Sequence, residues 1–110
     1  MPNPEEVRKL SKRLFGNRYR LEIAAAIAEA EPSVVYARAL AEQLQAPANL
    51  VGEELHTLAE AELLVLLPRP RGQQQQEYQR MASSYWELAR RLLDELKGRS
   101  ELASLPPSDH

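Results

Sequence analysis

Arg69 and Arg71 alternate with Pro68 and Pro70 just ahead of Gly72. Proline and glycine at that spacing make a projecting turn. Two guanidinium groups on such a turn suit contact with phosphate oxygens or with a narrow minor groove. Arg80 belongs to the same stretch. These arginines would equally serve to keep an exposed strand edge solvated. Arg18, Arg20 and Arg38 are further candidates for backbone contacts, with a solvated helix face as the alternative. Asn49, Glu53 and His56 fall on one amphipathic segment, away from Val51, Leu55 and Leu58. Polar groups so placed can read base edges, and a glutamate can accept a hydrogen bond from the cytosine amino group. The chemistry these residues support is recognition of double-stranded DNA.

Other chemistries find no residues. The chain contains no cysteine, which excludes disulfides and thiolate sites. His56 and His110 form no ligand pair, so no metal and no cofactor is expected. Ser83, Ser84 and the two histidines lack the order of a catalytic triad, Asp94 and Glu95 are helix neighbours that do not face each other, and no glycine loop could cradle a phosphate. An enzyme is not expected. The longest apolar run, Leu63 to Leu67, is far too short to span a bilayer. Residues 1–6 hold no apolar stretch of the secretory kind, so the expected location is cytoplasmic.

These side chains need elements to position them. At 44% hydrophobic and 27% charged residues, the 110-residue chain has the balance of one globular domain. The apolar residues are chiefly Leu and Ala, which favours helices. Asn3-Pro4-Glu5-Glu6 reads as a helix start, and Val7, Leu10 and Leu14 follow at helical spacing until Gly16. Asn17 is placed to cap a second helix with Tyr19, Ile23, Ala24 and Ile27 on its apolar side, broken at Glu31-Pro32-Ser33. Val34-Val35-Tyr36 suggests a brief strand. Ala37, Leu40, Ala41 and Leu44 predict a third helix, Gln45-Ala46-Pro47 a tight turn, and Ala48 onward a fourth helix to about residue 61. Leu63 to Leu67 fits a buried strand, a loop covers about 68–76, and Gln76 to Arg80 returns as a second strand around Tyr78. Gln73 to Gln76 is either a mobile tip or a source of polar backbone contacts. Ser84-Tyr85-Trp86-Glu87 has the form of a capping box for a last helix ending at Gly98.

Two short helices joined by a tight turn and followed by a hairpin make a winged helix-turn-helix, a mainly α fold in the order α-α-β-α-α-β-β-α. The expected domain covers residues 1–99, with 100–110 as a flexible tail.

Several motifs resemble ArsR-type regulators. These are Leu14-Phe15-Gly16-Asn17-Arg18-Tyr19-Arg20-Leu21-Glu22-Ile23, Ala39-Leu40-Ala41-Glu42-Gln43-Leu44, Leu55 through Leu64, and Tyr85-Trp86-Glu87-Leu88-Ala89. The resemblance implies a DNA-binding regulator and a homodimer built from the first and last helices. The sequence departs from that family where a Ser and a His usually precede the paired leucines by one turn. Gly52 and Glu54 stand there, with Glu53 between them. A carboxylate facing phosphate is repulsive. Gly52 could allow close approach to DNA or to another helix, or be a tolerated defect costing about 1 kcal/mol relative to Ala.

The last helix is apolar on more than one side, which favours a second copy of the chain over a single wide core face. The expected interface is Val7, Leu10, Leu14, Tyr85, Leu88, Leu92 and Leu96. Residues 37–67 carry one basic and five acidic side chains, whereas residues 68–99 carry seven basic and four acidic. The acidic middle leaves open a second reading, a winged-helix module that meets a basic protein partner. A small-molecule sensor with a cleft near the dimer helices is a third, with no residues that name a ligand.

Overall fold

A computed structural model describes residues 4–104. The elements are α1 (Pro4–Phe15), α2 (Arg20–Glu29), β1 (Val34–Val35), α3 (Ala37–Leu44), α4 (Ala48–Glu60), β2 (Leu64–Leu66), β3 (Tyr78–Arg80) and α5 (Ser84–Ser104). The order is the one the sequence predicts, and the architecture is a winged helix.

Local chemistry sets the joints. α1 stops where Gly16 adopts φ +72°, and its N–H donates to the Lys12 carbonyl at 2.8 Å. Asn17 does not cap α2 directly. Its Oδ1 accepts from the Tyr19 N–H at 2.9 Å, turning the chain just before the helix. The cap comes from another element. Ser11, fully buried on α1, donates to the Asn17 carbonyl at 2.6 Å and accepts from the Leu21 N–H at 3.2 Å. One hydroxyl thus satisfies a loop acceptor and a first-turn donor of α2 that would otherwise be orphaned. Asn3, the expected cap of α1, lies outside the described residues.

α2 is the central helix. Leu21, Ile23, Ala24, Ala25 and Ile27 are all buried, and α5 packs along it. Each large aliphatic side chain buried there contributes about 1.5–3 kcal/mol. α3 packs against α4 across the turn in which Gln45 takes the left-handed conformation, φ 53°. Val51, Leu55 and Leu58 carry α4 into the core with Val35, Leu40, Leu64, Tyr78, Trp86 and Ala89.

The strands form one antiparallel sheet in the order β1-β3-β2. Val34 faces Gln79 and Val35 faces Tyr78, while Leu64, Val65 and Leu66 face Arg80, Gln79 and Tyr78. The predicted hairpin therefore gains a third strand, with β3 in the centre. The expectation that Leu63 to Leu67 is a buried strand is corrected. Only Leu64 is buried, and Val65 and Leu66 are 44% and 49% exposed. The reason is positional: β2 is an edge strand that leaves the body after its first residue. The returning strand begins at Tyr78, not Gln76, and Tyr78 is its buried end.

Two predicted boundaries of the last helix also shift. The hydroxyl that caps α5 is Ser83, accepting from the Tyr85 N–H at 3.1 Å, one residue before the expected box. Gly98 does not end the helix, which continues to Ser104. Gly98 is not among the glycines at positive φ, so it provides no left-handed stop. Residues 100–104 of the expected tail are helical, and 105–110 lie outside the described residues.

Candidate nucleic-acid interface

α4 shows two opposite stripes. Val51, Glu54, Leu55 and Leu58 are buried. Asn49, Glu53, His56 and Glu60 are exposed, spaced i, i+4, i+7 and i+11, and so share one outward line. Asn49, Glu53 and His56 are the predicted base-facing residues. His56 Nε2 lies 2.9 Å from Glu60 Oε1 on that line, and the Thr57 hydroxyl donates to the Glu53 carbonyl. Arg38, exposed on α3, sits 3.8 Å from Glu42.

The wing is the loop between β2 and β3. Its base is closed by the Leu67 N–H on the Glu77 carbonyl at 2.9 Å, and the Gln76 amide donates to the carbonyls of Leu67 and Glu77. Arg69 and Arg71 are both exposed, with Gly72 at φ +92° between the turn and the glutamines. Arg69 Nη1 donates to the Gln74 carbonyl at 3.1 Å, which stiffens the tip while leaving other guanidinium donors available. Within the Gln73–Gln76 run the Gln73 amide donates to the Gln75 carbonyl at 3.3 Å.

The other arginines are placed differently. Arg80, unlike the exposed Arg69 and Arg71, is engaged with the body of the protein. Its Nη1 donates to the carbonyls of Ile27, Ala28 and Ala30 at 2.7, 2.8 and 3.3 Å, which closes the C-terminal end of α2 with a cation. Arg18 is exposed, 3.1 Å from Glu5 and near the Tyr19 ring. Arg20 turns inward. Its Nε and Nη2 meet the two oxygens of Glu54 at 2.9 and 3.3 Å, and Nη1 reaches the Phe15 carbonyl.

That bidentate pair corrects the expectation that Glu54 repels phosphate. Glu54 is only 3% exposed and lies on the inner stripe of α4. The hydrogen bond to Glu54 holds the Arg20 guanidinium further above its ordinary pKa. Burial, followed by the nearby Glu54 charge, raises the pKa of the Tyr85 phenol. A matching clamp sits at the other end of the helix pair. Arg8 on α1 binds Glu22 and donates to the Leu44 carbonyl at 2.8 Å, capping α3. Neither clamp is legible in sequence, because the partners are far apart along the chain.

The predicted interface residues also separate. Val7 is buried in the core, so it has no surface to offer a partner. Leu14 and Leu88 are 55% and 62% exposed. Leu10, Tyr85, Leu92 and Leu96 are half-buried. Leu10 and Leu96 line one open cleft of about 540 Å³, beside Lys9, Lys12, Arg13 and Arg18. Trp86 is buried, its Nε1 donating to the Met81 carbonyl at 2.7 Å. Gly52 faces α3: a Cβ built on it would meet the Ala37 Cβ at 3.9 Å.

Among the described residues, no group of three His, Cys, Asp or Glu could hold a metal ion, and no helix is long and apolar enough to cross a membrane.

The arrangement of the α3–α4 pair, the wing and the closing helix defines a winged-helix protein. A solved structure shares it: a MarR family transcriptional regulator, AbsC from Streptomyces coelicolor, superposes with a TM-score of 0.64 over 96% of this chain and 74% of that one. At 14% identity the likeness is one of fold. No family model matches the sequence, and no curated protein sequence matches it.

Proposed function

We propose that this protein is a homodimeric regulator that binds double-stranded DNA. In this reading α4 enters the major groove and the wing lies on the backbone or in the minor groove. The observation that carries the reading is the outward stripe of Asn49, Glu53 and His56 on a helix followed directly by a wing tipped with Arg69 and Arg71. The burial of Glu54 supports it by removing one of the three carboxylates of α4 from the face that would meet phosphate. The motif resemblance to ArsR-type regulators and the fold shared with a MarR family transcriptional regulator both favour the same role. Arg18 and Arg38 are exposed and serve as flanking backbone contacts. Glu53 and Glu60 remain on the reading stripe. Affinity per protomer is therefore modest, and dimerisation supplies the rest. Two recognition helices in a two-fold dimer read half-sites about 34–36 Å apart.

The dimer is supported by Leu14 and Leu88, exposed on α1 and α5, and by the cleft that Leu10 and Leu96 share. Replacing Leu88 with Glu should yield monomers by sedimentation with the thermal midpoint of the protomer retained. A variant that stays dimeric removes Leu88 from the interface.

The test of DNA binding is selection from random duplexes, followed by titration at several salt concentrations. The Arg69→Ala/Arg71→Ala variant should bind all sequences more weakly, with the salt slope reduced by about 0.9 for each phosphate no longer neutralised. An unchanged slope takes the wing out of the mechanism. Selection that returns no sequence overturns the reading and leaves a protein-binding module in its place.

A further inference from the structure

We infer that Arg20 and Glu54 form a positioning device that fixes the angle of α4, and that Arg20 does not itself touch DNA. The inference rests on the proposed DNA-binding role and deepens it. α4 packs mainly on α3 and β2, and only lightly on α2. The α3–α4 pair meets the body along one side, through the apolar side chains Leu40, Val51, Leu55 and Leu58, which set distance but little direction. Glu54 projects from the inner stripe of α4, 3% exposed, into a fork of two Arg20 donors at 2.9 and 3.3 Å. The planar fork constrains direction as well as distance. The third Arg20 donor group reaches the Phe15 carbonyl at the end of α1, so the guanidinium is held on both sides. Arg8 grips the same pair at the α3 end through the Leu44 carbonyl. The two anchors limit rotation of the helix pair on its apolar contacts, and a reading helix needs a set direction.

The pair separates two roles that would otherwise look alike. If Arg20 contacted phosphate, releasing it from Glu54 would strengthen DNA binding. As a positioning residue it has the opposite sign: releasing it disorients α4.

The experiment uses the full chain and a duplex selected by the wild type from random sequence. Its variants are Glu54→Gln, Arg20→Gln and the apolar replacement Arg20→Met/Glu54→Leu. Each is titrated against the selected and a scrambled duplex at several salt concentrations, with backbone amide exchange followed in parallel. Both single variants should bind the selected duplex at least tenfold more weakly, bind the scrambled duplex as the wild type does, and keep the wild-type salt slope. Amides of residues 48–60 should exchange at least tenfold faster in both. The apolar pair, which fills the same space without an unpaired charge, should recover the selected duplex to within threefold. Tighter binding by Glu54→Gln, or a slope reduced by about 0.9 in Arg20→Gln or the apolar pair, makes Arg20 a phosphate contact and overturns the inference. If a single variant does not fold, the apolar pair decides through its slope and its recovery. If the wild type selects no duplex, the DNA-binding reading fails separately. Amide exchange then decides the clamp, and α4 exchange unchanged by both single variants overturns it.

Discussion

Replacing Gly52 with Ala should make the protein more stable and leave the proposed DNA binding unchanged. Glycine inside a helix is about 1 kcal/mol less favourable than alanine, because the unfolded chain has more freedom to lose. Such a gain is realised only where the added methyl finds room. At Gly52 the new Cβ would lie 3.9 Å from the Ala37 Cβ, an ordinary van der Waals contact, with nothing nearer outside the helix itself. The backbone there is not at positive φ, so no conformational strain offsets the gain. The expected increase is about 1 kcal/mol, which for a domain of this size raises the thermal midpoint by roughly 4–8 °C. Differential scanning calorimetry measures it directly. The functional half of the prediction comes from direction. The methyl points at α3, whereas Asn49, Glu53 and His56 form the outward stripe. Affinity for a selected duplex should therefore stay within twofold of wild type. A lower midpoint would mean that α3 and α4 approach more closely than described. A higher midpoint with lost affinity would mean that DNA approaches the bare backbone at this position, and the argument from direction would be wrong.

Other perturbations probe the joints. Ser11→Ala leaves the Leu21 N–H and the Asn17 carbonyl without their buried partner, and should lower stability by about 1–3 kcal/mol in urea titration. A midpoint equal to wild type removes the cap from the account. Arg80→Met loses the charged donor to the Ile27, Ala28 and Ala30 carbonyls and should lower stability by roughly 1.5–3 kcal/mol, with little change in salt slope on DNA. A marked fall in that slope would restore Arg80 to the wing contacts. Tyr85 has a pKa raised above the ordinary 10.0, so the folded chain holds its proton more tightly than the unfolded one. The stability this contributes is complete below pH 10 and is lost as pH rises through the folded value. Tyr85→Phe should flatten the alkaline decline of stability, and superimposable alkaline limbs would remove Tyr85 as its source.

Much of this fold is legible in sequence because its signals are local. Ala37, Leu40, Ala41 and Leu44 mark α3 by spacing alone, and the breaker after Leu67 marks the wing. What escapes is pairing at a distance. Two valines predict β1 but not that its partner is β3, more than forty positions away. Glu54 reads as one charge in an acidic run, and only a fold that brings Arg20 beside it makes it an internal residue. Arg80 resembles Arg69 and Arg71 until the end of α2 is placed next to it. Gly98 illustrates a different limit. A glycine weakens a helix, yet stops it only when the backbone turns left-handed. For the candidate site, residue types were legible and their placement was not: the sequence cannot distinguish Arg18, paired with Glu5 at the surface, from Arg20, turned inward onto Glu54.

The closed base of the wing has a consequence for how such a protein can diversify. The backbone bond from Leu67 to Glu77 and the amide of Gln76 seal the loop below its tip. On the body side, β1 and the grip of Arg80 on α2 fix the register of β3. Residues inserted or removed above that seal change only a loop whose closure free energy grows slowly with length, about 0.6 kcal/mol per doubling. The tip can thus be lengthened, shortened or recharged without disturbing the core beneath it. A lineage carrying this scaffold could fit its wing to a new partner surface while the helix pair and the closing helix stay as they are.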